Sequence, residues 1–164
     1  MNLQVLLLKQ GLLDKSIRKR SGNVPVIEEK MELALLVELA ELANEVQSFK
    51  YWKLNKKVDE SKMKEEWADC LHFALMIERK RKQVRFTMDP LLWFDEIPTS
   101  LIDDAEAMTE AFKQAYAMII NKSDLCPLKT IIRLGFQIGM TKDEMVEEYN
   151  KKWQKNLKRQ KENY

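Results

Sequence analysis

The chain has 164 residues, 45% of them apolar, with four glycines and four prolines, which suits one domain over 1–164 with a real core. Twenty-eight basic and 26 acidic side chains leave a net charge of +2, too near neutral to argue for a nucleic-acid polymer as partner. No apolar run approaches the ~18 residues that span a bilayer, and Met1–Leu13 lacks the basic start and cleavage site of a signal peptide. A membrane is therefore not expected. A cytoplasmic location is, with Cys70 and Cys126 as reduced thiols, since neither has metal-type or redox-type spacing.

Leu, Glu, Lys, Ala and Met dominate, and all are good helix formers. The chain reads as all-α, a helical bundle. Apolar residues at Leu3, Leu6, Leu7, Gly11, Leu13 and Ile17 predict a first helix over 2–20. Ser21-Gly22-Asn23-Val24-Pro25 breaks it. A second helix is expected over 27–50 and a polar loop over Asn55–Ser61. A third follows over 62–82, ending in the basic run Arg79-Lys80-Arg81-Lys82. Residues 83–99, with Phe86, Pro90, Trp93, Phe94 and Pro98, lose the periodicity and read as an irregular aromatic loop, a lid or a partner-facing segment. A fourth helix is expected over 100–121, capped by Thr99 or Ser100. Pro127 opens a fifth that stops at Gly139, and Thr141-Lys142-Asp143-Glu144 is a capping-box start for the last.

The informative feature is a pair of acid motifs. Glu38-Leu39-Ala40-Glu41 and Glu66-Trp67-Ala68-Asp69 each place two carboxylates three residues apart, on one helix face. At about 100° per residue, Glu38, Glu41 and Glu45 share one stripe. Leu33, Leu35, Leu36, Val37, Leu39, Ala40, Leu42, Ala43 and Val46 cover the other sides, a pattern that normally means burial. Glu66, Asp69, Phe73 and Met76 form a second such stripe, backed by Trp67, Cys70, Leu71, Ala74 and Leu75. Acid pairs three apart are common on solvated helix surfaces, where like-charge neighbours cost only ~0.2–0.5 kcal/mol. Two pairs on mostly apolar helices differ: carboxylates facing each other in lowered dielectric cost several kcal/mol each unless neutralised. Nearby lysines would serve. A divalent cation serves with fewer groups, and hard oxygen donors suit Mg²⁺ or Mn²⁺.

The charge is also unevenly placed. The middle is acidic and the last fourteen residues are basic, which with a negative metal site would suit a polyphosphate. Tyr149, Lys152, Asn156, Arg159 and Gln160 recur at helical spacing. They form either a solvated basic helix end or a phosphate-gripping face. His72, the only histidine, is a packed residue or a partner for a carboxylate or a base edge. Phe73 is a core aromatic or part of the site, and Trp52, after Phe49-Lys50-Tyr51, is a core ring or a stacking platform.

Taken together these residues resemble the dimeric dUTPases of the all-α NTP pyrophosphatase superfamily, which also includes MazG-like enzymes. The resemblance lies in Gln10-x-x-Leu13-Asp14-x-x-Ile17, in Glu38-x-x-Glu41-x-x-Asn44-Glu45 followed by Phe49-Lys50-Tyr51-Trp52-Lys53, in Glu66-x-x-Asp69-x-Leu71-His72-Phe73, and in Tyr149-x-x-Lys152-x-x-x-Asn156-x-x-Arg159-Gln160. Residues 83–125 carry little of it, and Asn163-Tyr164 stands where such chains often end in Gly-Tyr. The resemblance implies hydrolysis of dUTP, with dUDP a further substrate, to dUMP and pyrophosphate. It implies Mg²⁺ on Glu38, Glu41, Glu66 and Asp69, with Glu38 orienting or deprotonating the attacking water. It implies Phe73 against the deoxyribose, Gln10, His72 and Trp52 around the uracil and sugar, and Lys152, Asn156 and Arg159 on phosphates. A homodimer with sites near its interface is also implied. A pyrophosphatase for another nucleotide, such as dCTP or a damaged dNTP, and a non-catalytic helical adaptor are the competing readings.

Overall fold

The computed structural model describes residues 2–82, 100–121 and 126–162. These form six helices, α1 Leu3–Arg20, α2 Glu28–Val46, α3 Glu60–Lys82, α4 Ala105–Ile120, α5 Pro127–Gln137 and α6 Lys142–Lys161, with no strand among the described residues. The chain is the all-α bundle its composition predicts. The aromatic segment 83–99 and the terminal Asn163-Tyr164 lie outside the described residues.

Helix α3 is the axis. It packs against α1, α2, α5 and α6, and Trp67, Ala68, Cys70, Leu71, Ala74, Leu75 and Ile77 are all fully buried. The Trp67 indole N–H donates to the Ile131 carbonyl at 2.9 Å, stitching α3 to α5. Tyr149 ties α6 to α1: its ring is buried and its hydroxyl donates to the Leu6 carbonyl at 3.1 Å. A phenol buried with its hydroxyl satisfied costs little and fixes orientation.

Helix ends follow local chemistry. Asn2 accepts from the Gln4 and Val5 amides at the start of α1. The expected capping box at α6 is present, with Thr141 and Glu144 reciprocally bonded. Gly139, at φ 92°, follows the end of α5.

Three expectations are corrected. Helix α2 stops at Val46 rather than at 50, because Gln47 turns into the left-handed region at φ 60°. The Gln47 amide donates to the Lys57 carbonyl and accepts from Lys53, each at 3.1 Å. These bonds to the following loop hold a conformation that residue preference alone would not choose. Helix α4 starts at Ala105, not 100, because Asp104 is the cap, its carboxylate accepting from the Ala107 amide at 2.7 Å. Nor is α2 buried on most sides: Leu35, Leu39 and Leu42 are sealed, whereas Leu33 is 63% and Val37 49% exposed. Among the described residues the helix contacts α3 and α4, and they leave Leu33 and Val37 on its other apolar face exposed.

Candidate functional site

The α2–α3 contact is the most extensive in the described fold, and apolar residues of both helices share one core. Packing the two apolar faces together leaves the acidic stripes flanking the seam. One carboxylate oxygen each from Glu38, Glu66 and Asp69 lies within 4.8 Å of the others. All three side chains are partly buried. Glu41 is exposed and outside this triad, though its charge still bears on Glu38 and Glu66.

Electrostatics record the crowding. Burial, then the charges of Asp69, Glu41 and Glu66, push the Glu38 carboxyl up to about 7, with Lys152 opposing. Glu66 is raised by burial and then by Asp69 and Glu41. Asp69 is raised by burial in spite of a hydrogen bond from Lys152. Like charges in a partly desolvated seam favour the protonated form, and a cation would reverse that.

Helix α6 supplies a cation from the protein itself. Lys152, one turn after the core-anchored Tyr149, is buried and sits on the Asp69 carboxylate. Its ammonium also reaches Glu65 Oε1 at 3.1 Å, an oxygen that Lys155 holds at 2.6 Å. Asn156 and Arg159, farther along α6, are half-buried. The Arg159 carbonyl accepts from the Arg20 guanidinium at 2.7 Å.

Gln10 and His72 come together inside the bundle. The Gln10 amide donates to Asp14 at 2.7 Å, and its oxygen lies 2.7 Å from His72 Nδ1. With that oxygen as acceptor, the imidazole proton is on Nδ1, leaving Nε2 as an acceptor. Nε2 is buried without a hydrogen-bond partner among the described residues. Burial pushes the His72 pKa down to about 4, so the ring is neutral. Phe73 is half-buried against the core. Trp52 is exposed on the loop after α2, edge-on to Phe49 at 5.9 Å and to Tyr51 at 5.2 Å.

A family model described as dUTPase matches residues 2–164. The chain belongs to the dimeric all-α dUTPase family. No curated protein matches it. Membership supports dUTP diphosphatase activity at the level of the family, and so a hydrolase acting on nucleoside triphosphates. The family generally uses a divalent metal. The residues here fit one: the three converging donors are hard oxygens with no His or Cys among them. No helix among the described residues is long and apolar enough to cross a membrane.

One neighbour of the site is not part of any motif. Glu65 is adjacent to Glu66 and four residues before Asp69, a same-face spacing that could have drawn attention to it. Its contacts with two lysines of α6 depend on tertiary packing.

Proposed function

We propose that the chain hydrolyses dUTP to dUMP and pyrophosphate at the Glu38–Glu66–Asp69 cluster, with Mg²⁺, or Mn²⁺ in its place. The observation that carries this is the convergence of three carboxylate oxygens within 4.8 Å, beside a buried lysine, in a family of dUTPases. When bound, a divalent ion there supplies charge neutralisation for the triphosphate and acidifies water.

The chain's own residues then divide the work. Glu38, Glu66 and Asp69 hold the cation, and Glu41, exposed on the same helix as Glu38, joins them. Glu38 also orients the attacking water and takes its proton. Lys152, Asn156 and Arg159 face the phosphates and stabilise the departing pyrophosphate. Phe73 lies against the deoxyribose, with Trp52 and Gln10 at the nucleoside. His72, buried beside Gln10 and stacked on Tyr149, backs the nucleoside end from the bundle interior.

The subunit is proposed to pair with a second copy. Val5, Leu8 and Leu12 on α1 and Leu33 and Val37 on α2 are exposed apolar residues at helical spacing. Each is an exposed apolar stripe, and exposed apolar patches mark contact surfaces.

A panel of dUTP, dUDP, dCTP, dTTP and UTP with Mg²⁺, followed by pyrophosphate or phosphate release, tests the reading. The expected result is preference for deoxyuridine nucleotides, with kcat/KM falling more than about 100-fold in Glu66→Gln and in Asp69→Asn. No release from any nucleotide would leave a helical adaptor as the better account.

A further inference from the structure

Lys152 and the expected divalent cation compete for one carboxylate. In this structure the ammonium rests on Asp69, a member of the oxygen triad. An ion held by Glu38, Glu66 and Asp69 would stand a few ångströms from that ammonium, like charges in a partly buried seam. Only 10% of the Lys152 side chain is exposed, against 15% for Asp69, so water screens the pair poorly. The ammonium needs somewhere to go. A cleft of about 220 Å³ beside it is walled by Ser61, Glu65, Glu148, Lys151, Lys152 and Lys155. The Glu65 carboxylate already touches Lys152 at 3.1 Å and Lys155 at 2.6 Å.

Resting on the metal reading above, we infer that Lys152 is a built-in placeholder for the divalent cation at Asp69 and that Glu65 is the positioning residue that receives it. When the cation arrives, Lys152 gives up Asp69, keeps Glu65, and swings about that contact to face the incoming phosphates. Glu65 touches neither metal nor substrate. It lowers the cost of releasing Lys152 from Asp69 and keeps Lys152 and Lys155 together at the mouth of the site. Glu65 holds the displaced ammonium until a triphosphate offers Lys152 a better partner.

The test measures Mn²⁺ affinity of the nucleotide-free protein by electron paramagnetic resonance, for wild type, Lys152→Met, Glu65→Gln and the double variant. Lys152→Gln is run alongside as a second removal of the charge, and far-ultraviolet circular dichroism checks folding. Removing the competitor is expected to tighten Mn²⁺ binding about tenfold. Glu65→Gln, which leaves Lys152 with Asp69 as its remaining carboxylate, is expected to weaken it about threefold. In the Lys152→Met background the Glu65→Gln change is expected to shift affinity less than about twofold, since its effect runs through Lys152. Simple charge effects would instead add. Wild-type binding with equal affinities in the variants, or strict additivity, overturns the placeholder and leaves the metal site standing. Absence of Mn²⁺ binding in all of the proteins overturns both.

Discussion

His72 lies flat on Tyr149, ring centroids 4.5 Å apart and planes 19° from parallel. The stack places a neutral imidazole, its pKa lowered to about 4 by burial, in contact with an α6 core residue. An unfolded histidine titrates near 6.5, so between about 6.5 and 4 the unfolded chain binds the extra proton. This contribution is present above pH 6.5 and is lost as pH falls toward 4. His72→Phe keeps the stack and removes the titration. Wild type is expected to lose more melting temperature than His72→Phe between pH 7 and pH 5, read by thermal denaturation.

Glu38 has the opposite sign. Its carboxyl is raised to about 7, so the native state binds a proton that the unfolded chain has already released. Its contribution is present below about pH 4.5 and is lost as pH rises through 7. Metal-free Glu38→Gln is expected to be more stable than wild type at pH 8 and to converge with it near pH 4. Mg²⁺ binding at pH 6.5 is expected to release protons, measurable by calorimetry in buffers of different ionisation enthalpy.

Gly11 is set by a close approach. A Cβ there would stand 2.4 Å from the Arg79 guanidinium, which donates to the Leu7 carbonyl at 2.7 Å and pairs with Asp14 at 3.4 Å. Gly11→Ala is expected to push aside that guanidinium, the end of a flexible side chain, so that weakened bonds to Leu7 and Asp14 offset the helix-propensity gain and stability stays within about 1 kcal/mol of wild type. In an Arg79→Ala background the same change is expected to stabilise by up to about 1 kcal/mol, the helix-propensity gain alone. Urea denaturation of the four proteins checks the difference.

The start of α6 depends on its cap. Thr141→Ala removes the hydroxyl that accepts from the Glu144 amide at 3.2 Å and is expected to cost about 1 kcal/mol. Glu144 is lowered to about 2 by Lys64 and then by Thr141. Its contribution is therefore present above pH 4.5 and lost as pH falls toward 2. Glu144→Gln is expected to flatten that acid limb in a thermal scan.

If the open face of α2 is the subunit contact, Val37→Glu places a charge in it. Sedimentation velocity is expected to show a dimer for wild type and a monomer for this variant, with the melting temperature concentration-dependent only in wild type.

Much of the fold is legible in the sequence because the helices announce themselves. Apolar periodicity, Pro127, Gly139 and the Thr141–Glu144 box mark helix boundaries that the bundle keeps at α1, α3, α5 and α6. Same-face spacing alone sets Glu38, Glu66 and Asp69 on acidic stripes, and packing of α2 on α3 brings those stripes together. What local pattern conceals is non-local. Gln47 leaves the helix through bonds to Lys53 and Lys57, and neither is a local stop signal. Asp104 wins over Ser100 as a cap although both residue types cap well. Leu33 and Val37 look like core because periodicity separates apolar from polar faces and does not say whether the same chain covers them. Tyr149 and Lys152 share one motif, yet one is a core strut and the other faces the acids.

The α2–α3 seam has a consequence for redesign. Leucine and alanine hold these two rods together, and the carboxylates ride on their flank without serving as glue. The carboxylate positions can therefore be rewritten, for instance toward softer donors, while the architecture that sets their spacing stays in place.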